Sequence, residues 1–137
     1  MIVCDAGPLV AVLNAEDKHH AACRELLEQA SGPLVLPAPV LTEVCYLTAT
    51  RIGAQAEAAF LDAVIAGELA LESSTAEDLR RMAELVRTYA DFPLGAADAS
   101  VVAVAERFGV ARIATLDHRH FRAARPNHCD AFELLPA

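Results

Sequence analysis

Short aliphatic and β-branched runs recur along this chain, each parted from the next by stretches patterned as helix, and that alternation constrains the fold more than any other feature. Ile2–Cys4, Leu34–Leu36, Leu69–Leu71, Arg112–Ala114 and Phe132–Leu134 read as strands. Helices are predicted over about Pro8–Leu13, Asp17–Ala30, Val40–Arg51, Gln55–Ala66, Thr75–Tyr89 and Gly95–Phe108, with a short helical turn at Asp117–Phe121. Pro8 suits a first helical turn, Thr75 and Asp78 have capping-box spacing, and Gly109 stands where a helix stop belongs. Strands separated by helices predict an α/β protein whose mainly parallel sheet is covered by helices on both faces. No repeat or linker interrupts the pattern, and 137 residues suit a single domain spanning 1–137.

Ligands of such sheets bind beyond the carboxyl ends of strands, where the strand order reverses. Four acids fall at that edge. Asp5 follows the first strand directly and precedes a Gly-Pro turn, which leaves it no obvious capping role. Asp117 lies just past the Arg112–Ala114 strand, two residues after Thr115, so the two share a face at a period of two. Asp98 is in the first turn of its helix, among Gly95, Ala96, Ala97 and Ala99, small residues that allow close backbone approach. Glu43 is one turn into the helix after the second strand. Each has a plainer explanation: Asp98 complements a helix dipole, Asp117 caps a turn, and Glu43 is a solvated helix residue. Their shared position at one sheet edge is what sets them apart.

Clustered carboxylates repel and raise one another's pKa unless a positive group compensates. A hard divalent cation does so, and magnesium favours a few carboxylates with water and substrate phosphate. The chemistry expected is phosphodiester hydrolysis by a metal-activated water. Thr115 is expected to orient a water or a phosphate oxygen through its hydroxyl.

The formal charge of −8 argues against a protein that coats nucleic acid, but leaves room for an enzyme whose acids meet phosphate through a cation. Charge is uneven: from Arg107 to His128 there are five arginines and one acid, Asp117. Arg119, Arg122 and Arg125 are placed to hold a polynucleotide backbone, the plain reading being a solvated surface. His118 and His120 offer an alternative acid–base pair for a metal-free ribonuclease. His19, His20 and Cys23 lack a second ligand pair for zinc, so a solvated helix face is expected there. Glycine-rich nucleotide-binding motifs are missing, which excludes dinucleotide and P-loop sites of those types. A haloacid-dehalogenase-like phosphatase needs a second Asp where Gly7 stands, and a phospho-receiver needs a late lysine, whereas the only lysine is Lys18. Cys4, Cys23, Cys45 and Cys129 form no CxxC pair, and the N-terminus has no signal-peptide pattern. Reduced thiols, a cytoplasmic location and no membrane association are expected. The 55% apolar composition hints at a surface covered by another subunit.

The runs Ile2-Val3-Cys4-Asp5-Ala6-Gly7-Pro8-Leu9, Pro39-Val40-Leu41-Thr42-Glu43-Val44, Pro93-Leu94-Gly95-Ala96-Ala97-Asp98-Ala99, Thr115-Leu116-Asp117-His118-Arg119-His120-Phe121 and Phe132-Glu133-Leu134-Leu135-Pro136 together resemble the PIN-domain family, specifically the VapC toxins of bacterial toxin–antitoxin pairs. The resemblance covers essentially the whole chain. It implies a three-layer PIN-like fold with a parallel five-stranded sheet in the order 3-2-1-4-5. It further implies a magnesium- or manganese-dependent endoribonuclease, commonly a homodimer, silenced by a VapB-like antitoxin. By resemblance Asp5, Asp98 and Asp117 surround the metal while Glu43 contacts it or its water shell, and RNA is the substrate. One departure is Ala6, where the family often has Ser or Thr. It supports the alternative of a catalytically silent PIN-like module that only binds RNA or protein.

Overall fold

The computed structural model describes residues 1–137. Five strands, β1 (Ile2–Cys4), β2 (Leu34–Pro37), β3 (Ala70–Glu72), β4 (Arg112–Ala114) and β5 (Glu133–Leu135), form one sheet in the order β3-β2-β1-β4-β5. All four pairings are parallel, with Val3 opposite Val35 on one side and Ile113 on the other. Seven helices accompany them: α1 (Ala6–Leu13), α2 (His20–Gln29), α3 (Ala38–Arg51), α4 (Ala54–Ile65), α5 (Ala76–Thr88), α6 (Ala96–Phe108) and α7 (His118–Ala123). The predicted α/β layering and strand order are both observed.

Ile2, Val3 and Cys4 are all buried. Successive strand residues point to opposite faces, so burial of all three requires helices on both faces. The helix that seals the sheet centre is α6, which packs along β1, β2 and β4 and buries every residue from Ala99 to Ala105. Its alanines and valines suit that position because small side chains let a helix lie close on a sheet. Gly109 ends it at φ 67°, the left-handed conformation of a C-terminal stop, as predicted. The capping box at α5 is also present: Thr75 Oγ1 accepts from Asp78 N and Asp78 Oδ2 accepts from Thr75 N, each at 3.0 Å. Asp78 then accepts from Arg107 Nε, so the cap of α5 is tied to the end of α6.

Several boundaries differ from the sequence reading. Asp17 does not open a helix; it accepts His19 N at 2.8 Å through its side chain, and its carbonyl accepts His20 N, so α2 starts at His20. Short polar side chains compete with the helix ladder in this way. The helix α1 begins at Ala6, two residues before Pro8, and α3 at Ala38, because a proline within the first turn lacks only an N–H that has no helical partner. Edge strands β3 and β5 each lie one residue later than expected, at Ala70–Glu72 and Glu133–Leu135, and the final helical turn is His118–Ala123 with Asp117 as its cap. No helix is long and apolar enough to cross a membrane.

Candidate active site

The chain reverses strand order between β1 and β4, and Asp5 and Asp117 both emerge at the carboxyl ends of that pair. Asp5 N donates to the Ala114 carbonyl at 2.8 Å, which carries the β1–β4 pairing one step into the site. Although Asp5 occupies the cap position of α1, its side chain caps nothing. Its Oδ2 instead accepts the Thr115 hydroxyl at 2.8 Å, and the residue is only 6% exposed. Gly7 makes the approach of α1 to this corner possible: a Cβ there would lie 3.2 Å from Leu116 Cβ. A larger residue would drive the start of α1 away from the Thr115–Asp117 segment.

Thr115 departs from its expected role. The residue is fully buried, and its hydroxyl both donates to Asp5 and accepts Asp117 N at 2.9 Å. Its hydroxyl is therefore engaged within the protein, where it fixes Asp5 relative to Asp117. Asp117 in turn combines two readings. It caps α7, with Oδ1 accepting His120 N at 3.1 Å, while Oδ2 lies 2.6 Å from His120 Nδ1. That second contact is close enough for an ion pair but is not aligned as a hydrogen bond.

Asp98 projects from the first turn of α6, and Glu43 from α3. Three of the four acids have pKa values above the ordinary carboxylate range. Asp98 is raised to about 6, by burial first and then by the charges of Asp5, Asp117 and Glu43, with His120 opposing. Glu43 is raised by burial and by Asp5. Asp5 is raised mainly by burial, with Asp117 adding to it; the Thr115 and Ala6 donors and His120 act the other way. The charges of Asp5, Asp117 and Glu43 all bear on Asp98, so the four acids share one electrostatic neighbourhood. Of the small residues around Asp98, Ala99 is fully buried in the core, whereas Gly95 does not serve close packing, since a Cβ there would meet nothing within 4 Å.

A divalent cation fits this donor set. Every candidate ligand is a carboxylate, Glu43 Oε2 is buried without any hydrogen-bond partner, and the repulsion among the acids is uncompensated by lysine or arginine. No three of the acids stand close enough together to hold an ion by themselves, so water and substrate oxygens would have to complete its coordination. The zinc reading of His19, His20 and Cys23 has no such support: His20 Nδ1 pairs with the Ala11 carbonyl at 2.9 Å and Cys23 is fully buried. That burial also corrects the expected solvated face, since Cys23 packs inward.

Sequence reasoning passed over Phe92. Its ring stands 4.8 Å from the His120 ring, and the Arg119 guanidinium lies over it at 4.8 Å. Phe92 thus joins the loop before Asp98 to the helix after Asp117. The one signal available was an aromatic residue just before Pro93 in a chain with few aromatics.

The PIN-domain family profile matches residues 2–126. The chain belongs to the PIN-domain family. It is 36% identical over 135 residues to Ribonuclease VapC26 of Mycobacterium tuberculosis (strain ATCC 25618 / H37Rv), a match spanning 98% of this chain and 100% of that one. Among solved structures, the sarcin–ricin loop cleaving toxin VapC20 of Mycobacterium tuberculosis aligns with a TM-score of 0.77 at 22% identity, over 82% of this chain and 87% of that one. DNA-bound VapBC from Salmonella typhimurium aligns with a TM-score of 0.70 at 14% identity, over 98% and 97%. At such identities the structural likeness speaks for the PIN fold alone, whereas the profile and the 36% relative establish the family.

Proposed function

We propose that this chain is a divalent-metal-dependent endoribonuclease, the toxin of a VapBC-type pair, and that residues 1–137 act as a single PIN domain. The observation that carries the reading is the placement of Asp5, Glu43, Asp98 and Asp117 about the switch point of the sheet, where burial and the charges of the other three acids raise Asp98 to about 6. Asp5, Asp98 and Asp117 are assigned to the cation and Glu43 to its water shell, with magnesium as the ion and manganese as its substitute. Held by these acids, a cation would supply an acidified water and charge neutralisation at the phosphate. The protein's own part is orientation. Thr115 holds Asp5, His120 and the α7 cap hold Asp117, and Arg119, steadied on Phe92, offers a cationic contact to the RNA backbone.

The VapBC complexes of Salmonella typhimurium and Rickettsia felis, both solved with DNA, supply the grounds for assigning this chain a VapB-like antitoxin as partner. A cytoplasmic location and a homodimer complete the proposal. Its test is incubation of purified protein with RNA and magnesium or manganese. Cleavage leaving 5′-phosphate ends is expected, abolished in Asp98→Asn. Products ending in 2′,3′-cyclic phosphate would shift the chemistry to His118 and His120. Metal binding without cleavage would favour the silent module suggested by Ala6.

A further inference from the structure

Thr115 sets the spacing of Asp5 and Asp117, but its hydroxyl bonds are both spent on those two residues and none reaches Asp98. Asp98 belongs to α6 and Asp117 caps α7, so their separation depends on how the starts of two helices dock together. The charges of Asp5 and Asp117 both bear on Asp98, and like charges push their segments apart. An attractive contact between the approach to α6 and the start of α7 is needed to oppose that repulsion.

Phe92 makes such a contact from the connection between α5 and α6, six residues before Asp98. Its ring centroid stands 4.8 Å from that of His120 at an interplanar angle of 57°, and the Arg119 guanidinium lies over the same ring at 4.8 Å. A tilted ring pair and a cation over a ring face are both attractive, and an aromatic side chain can make the two together. His120 in turn donates its backbone N–H to Asp117 Oδ1 at 3.1 Å and sets its Nδ1 2.6 Å from Asp117 Oδ2. One residue, His120, therefore separates Phe92 from Asp117.

The path from Phe92 back to Asp98 is also short and firm. Phe92 N donates to the Tyr89 carbonyl at 3.0 Å, and Leu94 is buried in the core. Gly95 caps α6, its carbonyl accepting Ala99 N at 2.9 Å. Tyr89 Oη accepts Arg125 N at 2.9 Å, so the connection meets α7 near its start and again just past its end. A connection pinned at Tyr89, Phe92 and Leu94 leaves the first turn of α6, and Asp98 with it, little freedom to draw away from Asp117. We propose that Phe92 is a positioning residue whose ring, engaged by His120 and Arg119, sets the separation of Asp98 from Asp117 across which a divalent cation is held. The inference rests on the metal-site reading of the four acids and adds the residue that fixes the width of that site.

An aliphatic side chain fills space but offers no ring face to an imidazole or a guanidinium, so Phe92→Leu separates ring from bulk. The test titrates each purified protein with manganese, following the paramagnetic resonance signal of the free ion, beside steady-state RNA cleavage and thermal unfolding in chelator. Phe92→Leu is expected to weaken manganese binding about tenfold and to lower kcat by a similar factor, exceeding any rise in KM. Phe92→Tyr keeps the ring and should restore both. Phe60→Leu makes the same change at a buried position of α4, in a cavity whose lining includes none of the four acids. It should lower the unfolding temperature and leave manganese affinity unaltered. Phe92 is only half-buried, so a folded Phe92→Leu protein is expected; Phe92→Met, an adaptable side chain, repeats the comparison if leucine is not tolerated. Parental manganese affinity in Phe92→Leu, with or without a rise in KM, overturns the inference and leaves the metal site standing, as does an equal loss in Phe60→Leu. If the unmodified protein binds no manganese, the metal-site reading falls and takes the inference with it.

Discussion

The Thr115 hydroxyl donates to the Asp5 carboxylate at 2.8 Å, across 110 positions of sequence, and the same oxygen accepts the backbone N–H of Asp117. One buried hydroxyl therefore sets the spacing of two acids. Replacing it by the isosteric Thr115→Val leaves Asp5 Oδ2 without its donor and Asp117 N without its acceptor. A loss of about 1–3 kcal/mol in unfolding free energy is expected, with cleavage reduced chiefly in kcat. Thr115→Ser should retain most of both. Denaturant unfolding of the two variants decides the matter, and a Thr115→Val protein as stable as the parent would contradict it.

Asp98 gives the metal-free protein a pH dependence of definite sign. Its pKa is about 6 in the folded chain against an ordinary 3.8, so between those values the folded state keeps a proton that the unfolded state has released. Stability must then fall as pH rises through that window, and the penalty is complete above it. Asp5 and Glu43, shifted in the same direction, add to the fall. After discounting for solvent screening, Asp98 alone accounts for about 1–2 kcal/mol. Thermal unfolding in chelator should show Asp98→Asn more stable than the parent at neutral pH and flatter across the window. Lower stability of the variant at neutral pH would refute the repulsion argument.

Metal should reverse that penalty. Magnesium or manganese is expected to raise the unfolding temperature, and to do so more above pH 6 than below it, because protonated carboxyls compete with the ion. Glu43→Gln keeps the shape but removes the unpartnered charge, and its metal affinity should fall roughly tenfold or more. Titration calorimetry on both proteins measures this directly; an unaltered affinity removes Glu43 from the site.

Gly7 and Leu116 should show coupled energetics. In Gly7→Ala the new Cβ meets Leu116 at 3.2 Å, a crowding cost of about 1–3 kcal/mol that outweighs the gain of roughly 1 kcal/mol from better helix propensity. Once Leu116→Ala removes the obstacle, the propensity gain alone remains and Gly7→Ala should become stabilising. A double-mutant cycle by chemical denaturation tests that reversal of sign.

Local chemistry wrote much of this protein into its sequence. Short apolar runs between helix-patterned stretches, the helix stop at Gly109, the Thr75–Asp78 cap and the position of Asp5 between a strand and a Gly-Pro turn are all short-range features, and each was legible. So was the sheet edge on which the four acids fall. Long-range contacts decided the remainder. The periodicity of a three-residue edge strand fits more than one register, so pairing with β2 and β4 fixed Ala70–Glu72 and Glu133–Leu135 one residue beyond the sequence reading. A threonine hydroxyl has the same local signature whether it faces solvent or a buried carboxylate, so only the packing of β4 beside β1 assigned Thr115 to Asp5. Likewise, nothing local marks Phe92 as the neighbour of His120 and Arg119. The sequence alone determined which residues stand at the sheet's carboxyl edge; the tertiary structure decided which of them touch, because those contacts join segments whose separation along the chain carries no record of their distance in space.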